Sequence, residues 1–255
     1  MNIYNFPLYY DIAFSFVDPK KQVENFGKII KKFSSIKVKS CLDIACGPSP
    51  QLIELAKRGY KAIGLDISQA MINYLLNEAK KQQVKVGAIR GDMRDFKLER
   101  KVDFSFIMMG SFTFSSKEDL LKHLDSVAKN LRKGGLYLIQ NQLLDWQDNS
   151  KQSWVMKRGD IKIKTTFDWF FVDKISQFYK ENLSLVVSGV KFIKKIRTSR
   201  RLRFFFPQEL KTLLENSGTF EFLGWWPGSL NEWYLNKKLE RAKKINSNIV
   251  VLRRK

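Results

Sequence analysis

The chain has 255 residues, 44% of them hydrophobic and 28% charged, enough to bury a core unaided as one α/β domain with a small appendage or two small domains. Two cysteines, Cys41 and Cys46, and a single histidine, His123, argue against a disulfide framework, a Cys/His metal site and a serine-type triad, so no metal is expected. The net charge of +21 favours anionic partners such as nucleic acid, a membrane surface or a small acidic substrate; a lysine-rich solvated surface is the plainer account. No run approaches the roughly 20 apolar residues of a membrane span. The N-terminal stretch carries Asp11 within its apolar run and no basic leader, so a cytoplasmic protein is expected.

In chain order, Val23, Phe26, Ile29, Ile30 and Phe33 recur at helical spacing and predict a helix over 22–36. Ser40 to Ala45 reads as a short buried strand, Cys46-Gly47-Pro48-Ser49-Pro50 as a turn, and Gln51 to Arg58 as a helix stopped at Gly59. Tyr60 to Asp66 is a second strand. Ser68 then caps a helix carrying Met71, Ile72, Leu75 and Leu76. Val84 to Ile89 makes a third strand ending in Gly91-Asp92, and Val102 to Met108 a fourth. A helix from Lys117 to Leu131 is closed by Lys133-Gly134-Gly135, and Leu136 to Ile139 is a fifth strand. This alternation predicts a doubly wound, mostly parallel sheet whose ligand loops follow the strands along one edge.

From Trp154 to about Phe205 the period becomes two, in Ile161 to Thr166, Leu183 to Val187 and Ile193 to Phe206, which predicts antiparallel strands with one exposed face. A helix over 208–215 and strands at 220–226 and 248–252 close the chain. The expected division is an N-terminal helical cap over 1–37, a ligand-binding core over 38–145, an antiparallel cover over 146–205, and a closing helix with core strands over 206–255.

The first strand-turn-helix is the place for a nucleotide-like ligand. Gly47 stands alone where a pyrophosphate loop needs three glycines. Asp43 precedes the turn, where an acid repels phosphate and suits the ammonium end of an amino-acid-bearing cofactor. Asp66, ending the second strand, is placed to take two ribose hydroxyls, and Asp92, ending the third, to reach an adenine amino group. Singly, these acids also read as helix caps and a turn residue. Cys46 reads as a small buried wall residue.

Together they resemble the class I S-adenosylmethionine-dependent methyltransferases. Leu42-Asp43-Ile44-Ala45-Cys46-Gly47 is similar to the family's first motif, Gly64-Leu65-Asp66-Ile67-Ser68-Gln69-Ala70-Met71 to its ribose motif, Gly91-Asp92-Met93 to its adenine-side motif, and Leu131-Arg132-Lys133-Gly134-Gly135 to the turn before the fifth strand. Ser49, between Pro48 and Pro50, stands where the family often has a second glycine. The resemblance implies a Rossmann-like, seven-stranded sheet with antiparallel strands inserted after the fifth. It also implies S-adenosylmethionine held by Tyr10, Asp43, Ala45, Cys46, Gly47, Pro48, Asp66, Ile67, Ser68, Met71, Asp92, Met93, Met109 and Ser111.

Met108-Met109-Gly110-Ser111-Phe112 replaces the Asn/Asp-Pro-Pro-aromatic motif of nucleic-acid amino methyltransferases, and the Pro-Cys nucleophile of 5-methylcytosine enzymes is absent. The inserted strands and the run Arg203 to Leu210 resemble the small-molecule branch, as does Tyr9-Tyr10-Asp11. The expected activity is therefore methyl transfer to a small-molecule acceptor, of anionic character, by positioning and without an assigned catalytic residue. Tyr9, Trp146 and Arg200 are the candidate acceptor residues, Arg200 because alternation places it with Ile196, Thr198 and Leu202 on the apolar side of its strand. Two readings stand behind this one. The first is RNA methylation, with Lys195, Arg197, Arg201 and Arg203 tracking a backbone and Trp225, Trp226 or Trp233 stacking bases. The second is a catalytically silent cofactor-binding regulator. A monomer or homodimer is expected.

Overall fold

The computed structural model describes residues 2–141, 149–242 and 247–255. A 3-10 turn at Ile3–Asn5 leads into α1 (Pro7–Ala13) and α2 (Pro19–Phe33). Helix α2 begins three residues before the expected start at residue 22, because Asp18 accepts from the Lys20 and Lys21 amides and Pro19 fills the first helical position, where no amide is needed. Alternating strands and helices follow: β1 (Ser40–Ile44), α3 (Pro50–Lys57), β2 (Lys61–Asp66), α4 (Gln69–Lys81), β3 (Val86–Arg90) and β4 (Val102–Ile107). Next come α5 (Lys117–Asn130) and β5 (Leu131–Asn141). Four strands are inserted, β6 (Asn149–Arg158), β7 (Ile161–Asp173), β8 (Phe178–Ser188) and β9 (Ile193–Arg203). Then α6 (Pro207–Glu215), β10 (Phe220–Gly228) and β11 (Ser247–Arg254) close the chain.

The main sheet has seven strands in the order β10-β11-β5-β4-β1-β2-β3. Strands β1 to β5 pair in parallel, and β11 is antiparallel to both its neighbours. Both faces are covered. Phe26 and Ile29 of α2, Leu52 and Leu55 of α3, and Leu75 of α4 pack with Phe104, Phe106, Leu136 and Leu138 on one side. Leu120 and Leu124 of α5 and Leu210 and Leu214 of α6 pack with Tyr137 and Ile139 on the other. Burial of both faces is why these strands read as near-continuous apolar runs. The strand order reverses at β1, between β2 and β4, so the crevice for a ligand opens at the carboxyl ends of these strands.

The inserted strands form a separate antiparallel sheet, β6-β7-β8-β9. Its inner face packs Ile163, Leu185, Val187 and Ile196 against Ile3, Ile12 and Ala13 of the N-terminal segment. Two expectations are corrected. The sheet starts at Asn149, not near Trp154, because β6 is an edge strand exposed along one face and only half-buried at Ser150, Trp154 and Met156 on the other, so its sequence carries no alternation of apolar and polar residues. Strand β5 starts at Leu131, which pairs with Val102 before a register shift, so Lys133-Gly134-Gly135 is an irregularity within the strand and not a helix stop. Trp225, Trp226 and Trp233 are buried in the core, so none is placed to stack a base. Among the described residues, no helix is long and apolar enough to cross a membrane.

Candidate active site

The crevice at the strand reversal is a cavity of about 480 Å³, walled by the β1–α3 and β2–α4 turns, the loops after β3 and β4, the N-terminal segment and the inner face of the inserted sheet. The β1–α3 turn is contorted. Ala45, Gly47 and Ser49 have φ of 54°, 53° and 33°, left-handed values that cost a non-glycine residue energy and that cluster at ligand sites. Its hydrogen bonds hold it there. The Cys46 amide donates to the Leu65 carbonyl at 2.9 Å, and the Gly47 amide to Asp66 Oδ2 at 2.8 Å. Ser49, the departure from the family pattern, has a double role. Its Oγ donates to Asp43 Oδ2 at 2.5 Å and accepts from the Leu52 amide that starts α3.

Asp66 is organised before any ligand arrives, because the Ser68 amide also donates to its Oδ1 at 2.8 Å. Burial still raises its pKa above the ordinary carboxylate value, against the pull of these amides. Asp43 is buried more deeply, and burial pushes its carboxyl up to about 8, only partly offset by the Ser49 hydroxyl. Asp92 is the opposite case. The Arg94 guanidinium grips its carboxylate at 2.7 Å and holds its pKa below the usual value. The amide of Arg94 adds a further bond at 2.9 Å, and Arg94 also reaches Asp119 at 3.0 Å. An adenine amino group would therefore compete with Arg94 for Asp92.

The loops behind these groups are tied to the core. His123 Nδ1 lies 2.9 Å from the Met93 carbonyl and its Nε2 lies 2.6 Å from the Tyr137 hydroxyl. A carbonyl only accepts, so Nδ1 carries the hydrogen and the tyrosine donates to Nε2. Met109, at φ 56°, donates its amide to Gln140 Oε1 at 2.9 Å, and Gln140 in turn donates to the Ser229 carbonyl.

The N-terminal segment covers the opening. Ser68 Oγ donates to the Tyr4 carbonyl at 2.9 Å. Asp11 accepts from Arg158 at 2.7 Å and from the Tyr74 hydroxyl at 2.9 Å, and Trp154 donates to the Ala13 carbonyl. The Tyr10 ring packs between those of Tyr4 and Phe14, and burial raises its phenol pKa.

The cavity thus brings together the sequence-predicted Tyr10, Asp43, Ala45, Cys46, Gly47, Pro48, Asp66, Ile67, Met71, Asp92, Met93, Met109, Ser111 and Arg200. Ser68 stands behind the wall as the cap of α4. Tyr9 stacks on Phe6 and is not part of the lining. Trp146 lies outside the described residues. Arg200 points inward as its alternation predicts, but its Nε donates to Glu181 Oε1 at 2.8 Å. Tyr4, Phe14, Gln140, Arg94, Asp119 and Arg158 were not predicted. Apart from Arg94, which grips Asp92 two positions away, their places depend on contacts across more than 20 positions, for which no local motif exists.

The lining carries five carboxylates, Asp11, Asp43, Asp66, Asp92 and Asp119, against three guanidiniums, Arg94, Arg158 and Arg200. Each arginine is already held by an acid. The interior of this strongly basic protein is therefore suited to a cationic ligand.

Residues 41–135 match the family model described as a methyltransferase domain. Over 102 residues the chain is 31% identical to a dTDP-3-amino-3,4,6-trideoxy-alpha-D-glucopyranose N,N-dimethyltransferase of Streptomyces venezuelae, a match covering 40% of this chain and 41% of that protein. The fold is similar to that of an S-adenosylmethionine-dependent methyltransferase from Clostridium acetobutylicum, with a TM-score of 0.77, 18% identity and 96% of each chain covered. It is also similar to that of an amino pentose methyltransferase from Micromonospora echinaspora, solved with S-adenosylmethionine bound. There the TM-score is 0.70 and the identity 15%, with 92% of each chain covered.

Proposed function

We propose that this chain is a class I S-adenosylmethionine-dependent methyltransferase that methylates a nitrogen of a small-molecule acceptor, chiefly by positioning; the match of residues 41–135 to a methyltransferase domain and the shared fold support this reading. The observation that carries this reading is the roofed cavity with more carboxylates than guanidiniums, every guanidinium paired. S-adenosylmethionine is a cation that supplies an electrophilic methyl group, and an amine acceptor arrives as a second cation. Asp66 would take the ribose hydroxyls and Asp43, with the Gly47 turn, the amino-acid end. Ile67, Met93 and the Asp92 loop would flank the adenine. Met109, Ser111 and Arg200, on the far side, would meet the acceptor. The N-terminal cover over 1–37 and the inserted sheet within 146–205 exclude water, while the core over 38–145 and the closing elements over 206–255 form the platform.

Nitrogen is supported by the Streptomyces relative, whose name describes N,N-dimethylation of a nucleotide-linked amino sugar. An anionic group on such an acceptor would have to share an arginine with its carboxylate. No observation favours an RNA acceptor, since the cavity is roofed by β9 and Trp225, Trp226 and Trp233 are internal. Calorimetry with S-adenosylmethionine tests the cofactor assignment. Asp66→Ala is expected to weaken binding at least about tenfold by removing bonds to two hydroxyls, and unchanged binding would overturn it. Methyl incorporation into nucleotide-linked amino sugars but not into their hydroxyl counterparts is expected, and the reverse preference would refute the nitrogen reading.

A further inference from the structure

The inner face of the inserted sheet is spent on the N-terminal segment and the cavity, which leaves its outer face. The strand register puts five cross-strand rows on that face, from Lys157–Lys162–Ser188–Ile193 at one end to Asn149–Phe170–Lys180–Arg201 at the other. At standard strand spacings the face is about 27 Å long and about 14 Å wide. It carries eight exposed cations, two on β6, two on β7, one on β8 and three on β9, against a single acid, Asp168. Asp168 already accepts from Asn182 at 2.6 Å. Among the described residues none of the eight cations is in an ion pair. The chain as a whole has 46 basic and 25 acidic groups, so this face is far more one-sided than the average surface.

Exposed apolar residues lie at both ends of the same sheet, with Phe170, Val172 and Ile175 toward the β7–β8 connection at 41%, 52% and 97% exposure. Val155 and Ile193 are on the face at 50% and 74% exposure, and Val190 at 77% with Phe192 at 44% form the β8–β9 connection beside Lys191. Single exposed apolar residues are ordinary, but a group of them among lysines is the combination that seats in a charged headgroup layer. We propose that this outer face docks the protein on an anionic lipid surface, with the β8–β9 connection entering the headgroup region. Two other occupants fit less well. Nucleic acid binding without base-edge readout relies on stacking platforms, and the aromatic residues of the face, Phe170 and Phe178, lie at the β7–β8 end, where the Arg201 guanidinium already covers the Phe178 ring at 4.3 Å. A second copy would oppose eight cations to eight cations.

Cosedimentation of the full chain with vesicles tests this, comparing phosphatidylcholine alone with phosphatidylcholine containing roughly a third phosphatidylglycerol. Binding to the anionic vesicles only, falling steeply with added salt, is expected. Each cation near such a surface strengthens binding about fivefold, so the variant with Lys162, Lys164, Lys195 and Arg197 each changed to Glu should lose at least about a hundredfold. The variant combining Val190→Ser, Phe192→Ser and Ile193→Ser should weaken binding about tenfold. Both variants should keep wild-type affinity for S-adenosylmethionine, which shows that they fold. Salt-insensitive binding by the wild type, equal binding to neutral vesicles, or no loss in the charge variant would overturn the proposal. So would homopolymeric RNA binding more tightly than vesicles through the same cations, or a dimer in sedimentation equilibrium that the charge variant abolishes.

Discussion

Asp43, the penultimate residue of β1, lies inside the protein with its carboxyl pushed up to about 8 by burial. Below that pH the free protein holds it neutral, and the ion is formed only when a cation is brought beside it. Binding of S-adenosylmethionine, which carries a sulfonium and an ammonium, should therefore release a proton. Affinity is expected to rise with pH, by up to about tenfold per unit below 8, and to level off above it. Isothermal titration in buffers of different ionisation enthalpy measures the proton directly. Asp43→Asn should abolish both the release and the slope, and a slope that survives in this variant would show that another group is responsible. Ser49 belongs to the same account. It occupies a left-handed position where glycine would be easier, and its hydroxyl both steadies Asp43 and caps α3.

At the scale of elements, the β1–α3 turn is packed onto β2 at a point where only glycine fits. A Cβ on Gly64 would lie 2.7 Å from Cys46 Sγ and 3.0 Å from Leu75 Cδ2. Gly64→Ala should thus force the turn away from β2 and break the short path from the Gly47 amide to Asp66. A loss of about 1–3 kcal/mol is expected in denaturant unfolding, with weaker cofactor binding. Replacing Cys46 by Ala as well should recover part of both losses, because it removes the nearest clashing atom. Additive effects of the two changes would mean that the contact is not the cause. The burial that makes Cys46 a wall also raises its thiol pKa, so the thiol is packing and not a nucleophile.

For the whole molecule, His123 joins layers distant in sequence: the loop after β3, α5 that carries it, and Tyr137 of β5. Burial lowers its pKa to about 4. The unfolded chain takes up this proton near 6.5, so the stability from the neutral imidazole is complete above that pH. It drains away as pH falls toward 4, by about 3 kcal/mol in all. Unfolding free energies measured across this interval should show the slope, and His123→Gln should reduce it. An unchanged slope would place the acid sensitivity elsewhere. Charge is also divided at this scale. The basic groups are carried on the outside, eight of them on the outer face of the inserted sheet, while the cavity lining has more acids than arginines.

Asp43, Gly47, Asp66 and Asp92 were legible from the sequence because a strand, its turn and the next helix are contiguous, and local chemistry decides what stands at a strand's end. The alternation of β1 to β5 with helices was legible for the same reason: strands buried on both faces and helices buried on one leave different apolar periods. The edge strand β6 left no such trace, since neither of its faces is consistently buried. The roles of single side chains within the cavity were decided only by the tertiary structure. Arg200 was placed inward by its alternation, but its pairing with Glu181 depends on the register of β9 on β8. Likewise Arg94, which grips Asp92 two positions away, also reaches Asp119 across 25 positions, and Asp11 meets Arg158 across 147 positions. Charge in a sequence is a sum over residues, whereas the charge a ligand meets depends on which groups already face each other. That depends on strand register and the packing of layers, so an expectation of anionic partners drawn from +21 fits the outside of this protein, while its cavity is suited to cations.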